Sequence, residues 1–288
     1  MEHDGRQRSY LVLVPPQAAS GQPLPVVLSF HGGGGNARGQ QRFTQMDALA
    51  DEAGFIVVYP EGTGRFGSFL LTWNAGGCCG FARDHNVDDV GFVRALLADL
   101  PGVAPVDKQR IYATGMSNGA MMAYRLAAEA SDVVAAIAPV AGAMQVDDIA
   151  ADRPVPILHI HSLDDPRALY DGGLGPPFPL TTARVNHKPV EQVLALWAAH
   201  NGCGTVPTII DTREAPAPSG GGLQTATHLV YPGCAPGGDI EAWRLTGAGH
   251  VWPGGNPGFL TPILGPATDV IDANREMWAF FQRFALAP

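Results

Sequence analysis

Basic clusters are missing from this sequence. Eighteen Lys and Arg stand against 27 Asp and Glu, for a net charge of −9. A chain with no positive patch argues against nucleic acid and anionic membrane surfaces as partners. Long apolar runs are missing too: none approaches the roughly 20 residues a membrane helix needs, so no membrane span is expected. The opening Met1-Glu2-His3-Asp4-Gly5 has no basic segment followed by an apolar one, and no signal peptide is read in it. Cysteine is scarce, with adjacent Cys78 and Cys79 and the separated Cys203 and Cys234. Neither group has the four-ligand pattern of structural zinc, so no metal is expected, and an even count permits disulfides without assigning them. Charged residues make up only 16% against 46% apolar, the balance of a globular chain rather than a disordered one.

What is present is an alternation of strands and helices. Strands are expected at Arg8 to Val14, Pro25 to Phe30, Phe55 to Tyr59, Ile111 to Ala113, Val133 to Val140 and Val155 to His161, and near Thr225–Tyr231 and Glu241–Thr246. Helical spacing runs over residues 38–53, from Asp88 or Asp89 to Leu100, from Met121 to Ala130, at about 190–200 and over 270–286. This order predicts an α/β fold with a mostly parallel central sheet and helices on both faces. No linker or repeat divides residues 1–288, so one domain is expected. Two stretches, near 60–86 and 162–188, have little periodicity; loops that long in a compact domain are usually functional.

The stretch that organises the rest is Gly115-Met116-Ser117-Asn118-Gly119, set between a short apolar strand and a helix. A serine on such a turn is held in a strained conformation with its hydroxyl above the sheet, and the helix N-terminus behind it favours negative charge. A serine hydroxyl is a weak nucleophile until a base takes its proton and an acid orients that base. On an α/β-hydrolase sheet the partners follow in the order Ser, then Asp or Glu, then His. Here Asp164-Asp165 follows one strand and Gly247-Ala248-Gly249-His250 another, at the sheet edge where open α/β folds build their sites. His31-Gly32-Gly33-Gly34-Gly35 also follows a strand. Its glycines could present bare N–H groups as an oxyanion hole, with Gly33 and Asn118 N–H as the expected donors. No Gly-Lys-Ser or Gly-Lys-Thr follows them, so a phosphate loop is disfavoured.

With these motifs in view the chain resembles the esterase family that includes polyhydroxybutyrate depolymerases and bacterial feruloyl and acetylxylan esterases. Asp4-Gly5-Arg6, His31-Gly32-Gly33-Gly34, Tyr59-Pro60-Glu61-Gly62, Trp73-Asn74-Ala75-Gly76 and Cys78-Cys79-Gly80 carry the resemblance in the first half. Val87-Asp88-Asp89-Val90-Gly91-Phe92, Gly115-Met116-Ser117-Asn118-Gly119-Ala120, Tyr170-Asp171-Gly172-Gly173, Asn201-Gly202-Cys203 and Gly249-His250 with Trp252-Pro253-Gly254 continue it. The resemblance implies an α/β-hydrolase fold and a secreted or periplasmic serine hydrolase of carboxylic esters that needs no cofactor. It implies Ser117 as nucleophile, His250 as general base and Asp165 as acid, and a disulfide between Cys203 and Cys234. The chain departs from the family where Ser162 replaces a glycine and Arg167-Ala168-Leu169 replaces a short apolar stretch, which keeps Asp164 as a rival acid. Cys78 and Cys79 are either bridged or buried thiols.

His31, Trp73 and Trp252 are taken as candidate substrate contacts, since aromatic faces suit a phenolic acyl group, a sugar or a polyester. Trp197, Trp243 and Trp278 fall on element patterns and read as core. Asp88 and Asp89 resemble a catalytic carboxylate pair but stand where a helix start wants a cap, and capping is the better reading. The expected partner is a small-molecule, oligosaccharide or oligoester substrate. The competing functions are an acyltransferase using the same three residues and a non-catalytic carbohydrate- or polymer-binding relative.

Overall fold

The computed structural model describes residues 1–287 except 68, 179–181, 219, 221, 257, 259 and 260. Nine strands of one sheet are labelled here β1 (Tyr10–Leu13), β2 (Leu24–Phe30), β3 (Ile56–Pro60), β4 (Val106–Met116), β5 (Ala136–Val140), β6 (Ile157–Ser162), β7 (Thr208–Pro216), β8 (Leu223–Val230) and β9 (Ile240–Thr246). Their spatial order is β7-β8-β9-β6-β5-β4-β2-β3-β1. The six strands from β9 to β3 pair parallel with one another, while β1 pairs antiparallel with β3, β8 with β9 and β7 with β8. The expected mostly parallel sheet is therefore present, with antiparallel margins.

Strand parity divides the interior into two layers, because successive side chains point to opposite faces. Val26, Leu28, Phe30, Ile56, Val58, Ile111 and Ala113 enter one core, and Val27, Val57, Tyr59 and Tyr112 enter the other. Helices α1 (Ala37–Thr44), α2 (Met46–Ala53), α3 (Asp89–Asp99), α4 (Asn118–Glu129), α5 (Val190–His200) and α6 (Ala273–Phe281) cover these faces. The apolar sides of α3, α4 and α5 fill the first core, and those of α1, α2 and α6 the second. Among the described residues, no helix is long and apolar enough to cross a membrane.

Several boundaries differ from expectation for local reasons. The helical pattern over 38–53 is two helices, because Gln45 at φ 53° takes the left-handed conformation and breaks the ladder. Residues 208–216 form an unexpected strand; Thr-Ile-Ile-Asp-Thr-Arg-Glu-Ala-Pro is a mostly exposed edge and carries no apolar alternation to read. Part of the 162–188 stretch is a hairpin: Gly173–Leu174 pairs with Asn186–His187, and Phe178 N–H donates to Ala183 at 2.9 Å. Residues 179–181 of that stretch and residue 68 of the other loop lie outside the described residues. Trp197 and Trp243 are fully buried and Trp278 stacks on Phe55, all as core. Cys203 is bridged to Cys234, and Cys78 to Cys79.

Candidate active site

Ser117 follows the last residue of β4 and precedes the first residue of α4, with φ 57° and ψ −119°. That conformation is costly for a residue with a side chain and persists only where the surroundings enforce it. They do so through the backbone: Ser117 N–H donates to Val140 at 2.9 Å, and Ser117 C=O accepts from Met121 at 3.0 Å. The flanking glycines are required by close approach. A Cβ on Gly119 would lie 2.2 Å from the Phe30 carbonyl oxygen, and one on Gly115 would lie 2.7 Å from that same atom. The result is a partly exposed serine at the C-terminal edge of the sheet, at the N-terminus of a helix.

The glycine loop after β2 lies against this turn. A Cβ on Gly32 would be 3.5 Å from Ser117 Cβ, and one on Gly33 would be 3.7 Å from Asn118 Cβ. Gly34 N–H is committed to the Leu71 carbonyl at 2.7 Å and Gly35 N–H to Gly32 at 3.0 Å, which removes both as donors to a ligand. Asn118 N–H belongs to the first turn of α4, where no preceding helical carbonyl is available to it. The Asn118 side chain holds the Trp73 backbone at both ends: Oδ1 accepts from Trp73 N–H at 2.8 Å, and Nδ2 donates to Trp73 C=O at 3.0 Å. The Phe178 ring from the hairpin covers Gly33, 3.0 Å from where a Cβ would sit.

Asp165 and His250 meet across the sheet edge. His250 Nδ1–H donates to Asp165 Oδ2 at 2.7 Å, with both side chains buried. This assigns the proton to Nδ1 and leaves Nε2 with its lone pair. Asp165 Oδ1 accepts two backbone N–H bonds, from Arg167 at 2.7 Å and Ala168 at 2.8 Å. Burial alone would raise the Asp165 carboxyl, but His250 and His161 with their hydrogen bonds outweigh it and hold the group well below the ordinary carboxylate range. The adjacent carboxylate does something else: Asp164 Oδ2 accepts from Gly247 N–H at 2.7 Å, in the loop that leads to His250. That loop is further fixed by His250 N–H to Leu264 at 2.6 Å and Gly249 N–H to Pro266 at 2.8 Å.

Three sequence candidates for substrate contact are corrected. His31 is 1% exposed, Trp73 0% and Trp252 2%, so none offers surface to a ligand. His31 is bonded to Gly32 C=O through Nδ1 at 2.8 Å and accepts from Gly62 N–H on Nε2 at 3.0 Å. It braces the glycine loop, and burial lowers its pKa to about 4, so it stays neutral. Trp73 Nε1–H donates to the His31 carbonyl at 3.0 Å, and Trp252 Nε1–H to Asn274 Oδ1 at 3.0 Å. Their aromatic character was legible, but not the depth at which each would lie. Asp88 caps α3 through Gly91 N–H at 2.8 Å, whereas Asp89 is not a cap: it is buried against Arg8 at 2.8 Å and accepts from Asn74 N–H at 2.8 Å. Phe178 falls within the 162–188 stretch expected to be functional, though not singled out there; His161 was missed despite a readable signal, since His159-Ile160-His161 puts two histidines on one face of a buried strand.

A strained serine, a buried Asp–His pair and a glycine loop at one edge of a parallel sheet define an α/β-hydrolase. The fold agrees with the solved acetyl xylan esterase from Aspergillus awamori: TM-score 0.54 at 15% identity, over 84% of this chain and 88% of that one. The family follows from the sequence. The profile described as esterase PHB depolymerase matches residues 8–204. The putative esterase NocK of Nocardia uniformis subsp. tsuyamanensis is 31% identical over 285 residues, 92% of this chain and 76% of that protein. The chain belongs to the PHB depolymerase family of esterases, and so to the carboxylic-ester hydrolases. Feruloyl esterase B of Piromyces equi is 28% identical over 262 residues, covering 88% of this chain but only 44% of its own length.

Proposed function

We propose that the protein cleaves carboxylic esters through an acyl-enzyme on Ser117. His250 Nε2 removes the Ser117 proton, the oxygen attacks the ester carbonyl, and the tetrahedral oxyanion is received by the N–H groups of Gly33 and Asn118. The protonated His250 then gives its proton to the leaving alcohol, and water repeats the sequence to release the acid. Asp165 holds the His250 Nδ1–H and stabilises the imidazolium. The observation that carries this reading is the buried 2.7 Å bond between His250 Nδ1 and Asp165 Oδ2, at the same C-terminal sheet edge as a serine at φ 57°.

The proposed substrates are feruloyl or other aryl esters and acetyl esters of plant polysaccharide, or hydroxyalkanoate oligomers, encountered outside the cytoplasm as a secreted or periplasmic enzyme. The relatives' names support ester cleavage on such compounds, and the Phe178 ring over Gly33 supplies an apolar wall beside the acyl carbon. The experiment is Ser117→Ala assayed on p-nitrophenyl acetate, with fluorophosphonate labelling of the wild type. Activity should fall by several powers of ten and labelling should map to Ser117; a folded variant with wild-type activity refutes the mechanism. Comparing methyl ferulate, acetylated xylan and a hydroxybutyrate oligomer then separates the substrate classes, and adding an alcohol acceptor tests for acyl transfer.

A further inference from the structure

Behind the Asp165–His250 pair lies a line of buried polar groups that the reaction scheme does not use. Tyr124 OH lies 3.0 Å from His159 Nδ1, His159 Nε2 lies 3.1 Å from His161 Nδ1, and His161 Nε2 lies 2.8 Å from the Ala168 carbonyl. The same His161 Nε2 is 3.2 Å from Asp165 Oδ2. His159 and His161 are two apart on β6 and share the face that packs against α4, which carries Tyr124.

The directions of these bonds can be worked out. His161 Nε2 faces two acceptors, a carbonyl and a carboxylate, so it must carry a hydrogen. In the neutral ring its Nδ1 then accepts, and His159 Nε2–H must donate to it. His159 Nδ1 accepts in turn, and the Tyr124 hydroxyl donates. Every donor in the line is used, the His161 Nε2–H being shared between the Ala168 carbonyl and Asp165 Oδ2, and no ring needs a charge in a fully buried setting. Burial and the neighbouring His161 hold the His159 pKa well below its ordinary value, and burial keeps the Tyr124 hydroxyl protonated. His187 from the hairpin and the Tyr170 ring, whose hydroxyl donates to Glu191 at 2.5 Å, also face this group.

We propose that His161 is a positioning residue for the esterase site, held in one tautomer by Tyr124 and His159 so that its Nε2–H fixes the carboxylate that orients His250. The inference rests on the Ser117, Asp165 and His250 reading and extends it. The line also couples the two halves of that site, because α4 begins immediately after Ser117 and β6 ends three residues before Asp165. Loss of the Nε2–H takes a donor from Asp165 Oδ2. The carboxylate then binds a proton more readily and is freer to rotate away from His250.

The test uses the full chain on p-nitrophenyl acetate, with rates divided by the fluorophosphonate-titrated site concentration so that misfolded protein does not count. His161→Leu should lower kcat by about tenfold or more with KM nearly unchanged, and move the acidic limb of the kcat/KM profile up by about half a pH unit. His161→Gln, which keeps an N–H donor at the same reach, should restore most of the rate and the limb. A wild-type rate and limb in His161→Leu overturns the proposal, as does a Gln variant no better than Leu. Should the Leu variant not fold, Tyr124→Phe reads the line from its far end. A fall of about twofold or more with the limb moved the same way supports the proposal, and a wild-type profile overturns it. Full activity in Ser117→Ala would instead remove the underlying mechanism, so the two failures are distinguishable.

Discussion

The Ser162 hydroxyl donates to the Ala248 carbonyl at 2.6 Å, a direct tie between the loop that carries Asp165 and the loop that carries His250. Ser162 Oγ also accepts from Asp164 N–H at 3.2 Å. Ser162→Gly or Ser162→Ala leaves a buried carbonyl without that donor and should cost about 1–3 kcal/mol. Thermal melts should show a drop of several degrees, with a smaller loss of kcat than of stability.

Adjacent carboxylates with different partners should respond differently to the same change. Asp165→Asn removes the charge facing His250 and favours the wrong histidine tautomer, and should lower kcat by roughly three to four powers of ten. Asp164→Asn keeps an oxygen that can accept from Gly247 N–H, and should cost only a few-fold. Steady-state rates on a p-nitrophenyl ester, with circular dichroism to verify folding, separate the two.

Acid should weaken the fold in two stages. His31 and His187 are buried with pKa values lowered to about 4, so the unfolded chain takes up their protons first, below about pH 6.5. Stability tied to them is present above that pH and is lost as pH falls towards 4. Asp165 has the opposite chemistry but the same sign: its depressed folded pKa gives stability above the ordinary carboxylate range, lost only as pH falls below it. Urea midpoints at pH 7, 5.5 and 4 should fall steadily for the wild type. The fall should be shallower for His31→Gln, even though that variant starts lower.

The Gly33 amide and the Phe178 ring share one space. Gly33→Ala puts a methyl 3.0 Å from the ring and should lower kcat by displacing either the loop or the hairpin. Phe178→Ala should recover part of that loss in the double variant, which a double-mutant cycle on kcat/KM would register as coupling. Without coupling, the wall assigned to Phe178 is misplaced.

Reduction of the Cys203–Cys234 bridge, which closes a 31-residue separation, should cost about 3–4 kcal/mol on the chain-entropy estimate. A Cys203→Ser, Cys234→Ser double variant should melt lower under non-reducing conditions while keeping its rate at 25 °C. Both cysteines lie far from Ser117 in the sequence, in the segments after α5 and β8.

How much of this was readable beforehand depended on whether the signal was local. The Ser117 turn was legible because strand, Gly-x-Ser-x-Gly and helix occupy consecutive residues, and the sheet because its central strands are short apolar runs. Asp165 over Asp164 came from the family resemblance and not from the local residues, since adjacent side chains diverge according to a loop tied down at Ser162 and Gly247. His31, Trp73 and Trp252 lie deeper than substrate contacts would, because burial is decided by what packs over a residue from distant segments. The β7 strand left no pattern because an exposed edge has no buried face to encode it.

Phe178, from the hairpin formed by Gly173–Leu174 and Asn186–His187, lies over Gly33, whereas Ser117 and His250 are pinned by backbone bonds to Val140 and Leu264. The backbone bonds that hold the nucleophile and the base therefore do not run through the hairpin's strand pairing. Recombination could exchange the hairpin between relatives as a cassette, with its two strand ends as the splice points. Grafted hairpins that keep His187 would show directly whether ester preference travels with this segment.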